Sequence, residues 1–352
     1  MKLYIKILLT VVVFSYQKTD AVVILVHGSF ATLSTWCKPK GLFYQELEKQ
    51  AALIHQNLIP FSWSGIPKDS EIVQGAEALV RTILSYPADE EIILIGHSHG
   101  GNVINFASHL LHDCLTEMLH VTSHNTISSI IMQTYHSFSL DNQITLPTNE
   151  PKPSSQNMSF LQDYLPTTKG KKSKTLFKTV MNAINRVEHY KLQHKEMNPN
   201  KKMKQYIIEK VYTLGTPVHA KKYPPQMKVI KTFVHLYSVA DFIQPVFGLY
   251  KRTYPMHERM VNLSVSMHGK GNFLFPHKPK HDELHDPLIA QWILAIPETL
   301  QAQKLGNFEN FFYEQNGYIH FEQGKTPLYN DIKNNDTQSK KSLRTLIPQA
   351  LF

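Results

Sequence analysis

Ser98 stands in Gly96-His97-Ser98-His99-Gly100, a setting that can turn a hydroxyl into a nucleophile. A serine hydroxyl is weak at neutral pH. It needs an imidazole as base, a carboxylate to orient that imidazole, and N–H donors for the oxyanion. The Gly-x-Ser-x-Gly spacing serves this chemistry because a sharp turn between strand and helix lifts the hydroxyl clear of a sheet, and the flanking glycines leave room. The context fits. Residues 91–95 (Glu-Ile-Ile-Leu-Ile) read as a buried strand and residues 102–111 carry helical spacing. The N-terminus of that helix adds positive potential where negative charge develops.

The partners are sought elsewhere in the chain. One oxyanion donor is expected from the backbone of His99, and another from Ser29 or Phe30 in the loop after residues 22–26. His27 reads as a structural histidine. Asp241 is the expected orienting acid, because it follows a hydrophobic strand at 232–237, where catalytic groups collect in open parallel sheets. A turn or helix-cap role competes for it. Asp282, Glu283 and Asp286 are rival acids, but they lie too close in sequence to the candidate histidines. The chain has 19 histidines; those after Asp241 include His257, His268, His277, His281 and His285. A base belongs in a loop shortly before the last helix. His281 lies six residues before Pro287 and leaves room for such a loop, whereas His285 abuts the helix cap. His281 is therefore preferred and His285 is the alternative.

The elements that must hold these groups alternate. Residues 21–26 are a continuous β-branched run, as in a strand covered on both faces. A helix at 43–52, a strand at 58–63 and a helix with Asp69 as N-cap lead to the strand before Ser98. Strands at 211–214 and 232–237 follow later, then a helix at 287–300 with Asp286 as cap and Pro287 in its first position. Such alternation predicts an α/β fold with a mostly parallel central sheet and helices on both faces. The expected domain is 22–300. It is interrupted by a cap or lid insertion at 115–205, rich in Ser, Thr, Asn, Gln, Pro and Lys, and followed by a polar extension at 301–352.

The formal charge of +9 is local. Residues 166–205 hold ten Lys, one Arg and two Glu, so the rest of the chain is near neutral. Within that segment Leu176, Phe177, Val180, Met181, Ile184, Val187 and Tyr190 share one helical stripe flanked by lysines. This suggests peripheral contact with an anionic membrane; a solvated, partly disordered insertion is the competing reading. Nucleic acid is not expected, since interleaved aromatics and recognised modules are missing. Two cysteines permit one disulfide and no framework. Residues 1–21 combine Lys2, Lys6, an apolar run and small residues before a possible cleavage after Ala21. This is the pattern of a secretory signal, so export is expected; the competing reading is an extra strand or helix of the fold, with a membrane-associated or cytoplasmic protein.

Ser98, Asp241 and His281 follow the order Ser…Asp…His, and the chain resembles the lipase/esterase branch of the α/β-hydrolase superfamily. Gly96-His97-Ser98-His99-Gly100-Gly101 resembles the elbow of bacterial triacylglycerol lipases, and Val26-His27-Gly28 resembles their oxyanion-loop opening. Leu214-Gly215-Thr216-Pro217, the segment from Ser238 to Pro245, and His281-Asp282-Glu283-Leu284 are similar to further stretches of that branch. The resemblance covers about residues 22–112 and 206–298. It implies a serine hydrolase that cleaves carboxylic esters of acyl or lipid type through an acyl-enzyme, or transfers the acyl group to an alcohol. It implies no cofactor. No calcium site of the larger bacterial lipases is traceable, so no metal is expected. The competing class is a non-catalytic binding protein on this fold whose basic insertion holds an anionic partner.

Overall fold

The computed structural model describes residues 21–31, 34–87, 89–119, 176, 179–180, 182–187, 189–190, 207–219, 222–243, 251–255, 257–267, 277–298 and 316–331. Residues 1–20 of the expected signal, most of the basic insertion and His268 lie outside the described residues.

β1 (Ala21–Val26) is buried along its whole length, as is β3 (Ile92–His97). Both are central strands, and their unbroken apolar runs reflect cover on both faces. β2 (Gln56–Phe61) is half-exposed and contains Pro60, which an edge strand tolerates because one side of its backbone needs no partner. β4 (Ile208–Leu214), β5 (Ile230–Tyr237) and β6 (Met260–Met267) complete the parallel body. β7 (Asn316–Glu322) adds in parallel to β6, and β8 (Lys325–Asp331) closes the edge antiparallel to β7. The eight strands run in the order β2-β1-β3-β4-β5-β6-β7-β8.

Alternate residues of β1 feed two cores. Val22, Ile24 and Val26 pack with α2 (Asp69–Leu84) and α3 (His99–Leu119). Val23 and Leu25 pack with α1 (Leu42–Leu53) and α4 (Pro287–Trp292). Asp286 caps α4 as expected, accepting from the Leu288 N–H at 2.9 Å, with Pro287 next. Asp69 is not the expected cap. It is the first residue of α2, and its carboxylate is bound by Lys222 and the Tyr223 hydroxyl, so tertiary partners outcompete the local turn.

Two further expectations change. The domain does not end near residue 300, because residues 316–331 supply two strands of the central sheet. The described helical residues of the insertion also belong to the body. Val180, Ala183, Ile184 and Val187 are buried in the α2/α3 core. Val180, Ile184 and Val187 of the apolar stripe are thus covered by protein. Arg186 fixes them there, donating from Nε (2.7 Å) and Nη2 (2.5 Å) to the buried Glu77 carboxylate, which Arg81 also binds. Burial alone would push the Glu77 carboxyl up. Hydrogen bonds from Arg186 and Arg81, and their charges, outweigh it and hold the group below the usual range.

Candidate active site

Strand register gathers the candidate residues. Val26 lies beside Gly96, Gly96 beside Thr213, and Thr213 beside His235. The segments leaving β1, β3, β4 and β5 therefore emerge at one end of the sheet. The chain runs outward from β1 to β2 and then returns to β3 on the other side of β1. This reversal at β1 is the kind of topological switch point at which open α/β sheets place their sites.

Ser98 occupies the turn from β3 into α3 with φ of 52°. That left-handed conformation costs a non-glycine residue about 1–2 kcal/mol. The neighbours enforce it: the Ser98 N–H donates to the Leu214 carbonyl (2.9 Å), and the Ser98 carbonyl accepts from the Gly101 N–H (3.0 Å). Gly100 permits the turn to press against the loop after β1, since a Cβ there would lie 2.5 Å from the Val26 carbonyl oxygen and 2.6 Å from that of His27.

Asp241 lies four residues beyond β5 and is fully buried. One carboxylate oxygen accepts from the Ile243 N–H (2.9 Å), the local turn bond expected of an aspartate. The other faces His281 Nδ1 at 2.7 Å. The two readings of Asp241 are thus compatible, one oxygen serving each. A carboxylate only accepts, so His281 carries its proton on Nδ1 and leaves Nε2 basic while neutral. Gly215, at the end of β4, closes this corner with φ of 58°; a Cβ on it would meet Leu284 Cδ1 at 2.7 Å and both Asp241 Oδ2 and His281 Nδ1 at 3.2 Å.

The other histidines are held elsewhere. His285 lies flat on Trp36, with ring centroids 4.7 Å apart and planes within 3°. His277 bridges to the end of β6 through its backbone and meets Glu283 with Nε2 (2.8 Å). His257 Nδ1 accepts from the Arg259 N–H. Burial lowers His235 to about 4; it accepts from the Thr213 hydroxyl and donates to the Arg252 carbonyl. His27 is structural, as expected. It accepts from the Trp63 N–H at Nε2 and donates from Nδ1 to the Gly28 carbonyl.

Of the three backbone donors expected for an oxyanion, Phe30 is corrected. Its N–H donates to the Gly65 carbonyl at 2.9 Å, fastening the loop after β1 to the loop after β2. Ser29 is then the candidate on that loop. His99 opens α3, at the positive end of the helix, and burial followed by the His281 charge pushes its imidazole down to about 4. Two neighbours carry no assigned role in the sequence, although His97 stands inside the Gly96–Gly100 motif. His97 packs against His281, with Nε2 3.0 Å from its carbonyl oxygen, and Trp36 packs edge-on to His97 in turn. The one visible sign was a histidine closing an otherwise apolar strand.

Parallel strands in the order β2-β1-β3-β4-β5-β6, with a serine at positive φ between β3 and its helix, decide the architecture. This is the α/β-hydrolase fold. No family model matches the chain. Over 100 residues, 28% of its length, it is 31% identical to Methylesterase 8 of Arabidopsis thaliana, and the match spans 36% of that protein. Solved structures similar to this chain include tomato methylketone synthase I complexed with 2-tridecanone, at 14% identity over 80% of this chain and 99% of that one, with a TM-score of 0.30. Another is a mutant of polyneuridine aldehyde esterase, at 12% identity over 79% of this chain and 99% of the other, with a TM-score of 0.27. Among the described residues, no group of three or more His, Cys, Asp or Glu is arranged to hold a metal, and no helix is long and apolar enough to cross a membrane.

Proposed function

We propose that this protein is a serine hydrolase that cleaves carboxylic esters through an acyl-enzyme on Ser98. One observation carries the reading: the 2.7 Å pairing of His281 Nδ1 with the buried Asp241, at the sheet end where Ser98 sits at positive φ. His281 Nε2 takes the proton of the Ser98 hydroxyl as its oxygen attacks the ester carbonyl. The Ser29 and His99 amides receive the developing oxyanion. His281 then hands the proton to the departing alcohol, leaving an acyl-serine. Water, deprotonated by the same imidazole, attacks this acyl group and releases the acid and Ser98. An alcohol in place of water gives acyl transfer.

The name of the Arabidopsis relative supports ester chemistry. The mouth supports a nonpolar ester of acyl or lipid type. Phe30 and Phe242 are exposed by 76% and 68% on the loops following β1 and β5; Ile243, next to Phe242, is exposed, as is Ile66, which follows the Gly65 that accepts from the Phe30 N–H. Export through residues 1–21 belongs to the same proposal. The test is turnover of p-nitrophenyl esters of increasing chain length. We expect kcat/KM to rise from acetate to medium chains by up to about fourfold per methylene, or about fifteenfold per two, in line with about 0.8 kcal/mol for each one buried. Absence of turnover across the series contradicts the proposal and leaves the fold as a binding scaffold.

A further inference from the structure

His97 precedes the nucleophile, yet its ring does not serve Ser98. It is buried as the last residue of β3 and lies against Gly28 of the loop after β1. Its Nε2 stands 3.0 Å from the backbone carbonyl oxygen of His281. A carbonyl accepts only, so Nε2 carries the proton. The ring is enclosed by three others: Trp36 edge-on at 5.2 Å, His285 edge-on at 5.1 Å and His281 tilted at 4.8 Å. Burial, then the charges of His281 and His285, push this imidazole well below its ordinary range, so it stays a neutral donor.

We infer that His97 is a positioning residue: its Nε2–H bond to the His281 carbonyl sets the backbone of the base over the nucleophile. The bond is needed because the two ends of the site come from distant parts of the chain. Ser98 is fixed by β3, whereas His281 belongs to a short 3₁₀ turn (His281–His285) reached after β6. Asp241 holds the His281 ring at one atom, which leaves the ring free to pivot about that bond. A second anchor on the same residue's main chain removes the pivot. One hydrogen bond from the residue adjacent to the nucleophile ties base to nucleophile directly. A base displaced by about 1 Å loses on the order of 100-fold in rate.

The inference rests on the hydrolase reading, and the experiment separates the two. Glutamine places an amide N–H near the position of Nε2, whereas asparagine is too short to reach it and leucine has none. With p-nitrophenyl butyrate, H97L and H97N are expected to lose 10- to 100-fold in kcat with KM within about threefold, while H97Q retains kcat within about threefold of wild type. Should H97L fail to fold, the H97Q and H97N pair decides. Equal activity of H97Q and H97N overturns the inference, whether both are active or both impaired, because the donor at Nε2 then makes no difference. A wild type without esterase activity instead overturns the hydrolase reading beneath it.

Discussion

His281→Ala is expected to lower kcat/KM by about 10⁴-fold or more, while His285→Ala loses less than about tenfold. The two histidines are four residues apart and flank the same short turn, yet they are held differently. His281 presents Nδ1 to a buried carboxylate and leaves Nε2 available to move a proton. His285 is stacked on Trp36 with parallel planes, and burial, the first of several influences, lowers its affinity for a proton. Removing His285 forfeits that stacking, about 1 kcal/mol, and lowers thermal stability before it touches chemistry. Steady-state kinetics on the two folded variants check this. A loss in His285→Ala without one in His281→Ala reverses the assignment of the base.

Asp241→Asn is expected to leave the fold intact and lower kcat by about 10⁴-fold near neutral pH. The asparagine carbonyl can still accept from the Ile243 N–H, so the turn after β5 survives. Its amide then faces His281 Nδ1 as a donor. The imidazole must accept there, its proton moves to Nε2, and the atom that should deprotonate Ser98 has no lone pair to offer. The loss should fall on kcat with KM nearly unchanged. Since Asp241 acts through His281, the double variant with His281→Ala should be little worse than His281→Ala alone. Wild-type kcat in Asp241→Asn would mean that the carboxylate only caps its turn.

What could be read from sequence follows from how local each signal is. β1 and β3 announce themselves because strands covered on both faces need long apolar runs, and β4 and β5 carry shorter runs broken by Thr213 and His235. β6 does not announce itself, because Asn262 and Ser264 are buried inside it and interrupt the run. β7 alternates Tyr318, Ile319, His320 and Phe321, with the even positions turned to a more exposed face, and reads as polar tail until the sheet receives it. The insertion stripe was legible as amphipathic, but amphipathicity does not name the surface it covers; Glu77, 109 residues from Arg186, does. At the site, Ser98 was visible from its own turn and Asp241 from its strand end. The choice between His281 and His285 required a contact across 40 residues, and the loss of Phe30 as a donor required the carbonyl of Gly65. Such pairings are properties of the folded chain and leave no mark on spacing.

Reaction with a fluorophosphonate probe, followed by mass spectrometry of the labelled peptide, measures the nucleophile most directly. The predicted result is a single phosphonyl adduct on Ser98, absent from Ser98→Ala and formed far more slowly in His281→Ala. No labelling of the wild-type protein, or labelling of Ser98→Ala at the same rate, would contradict it.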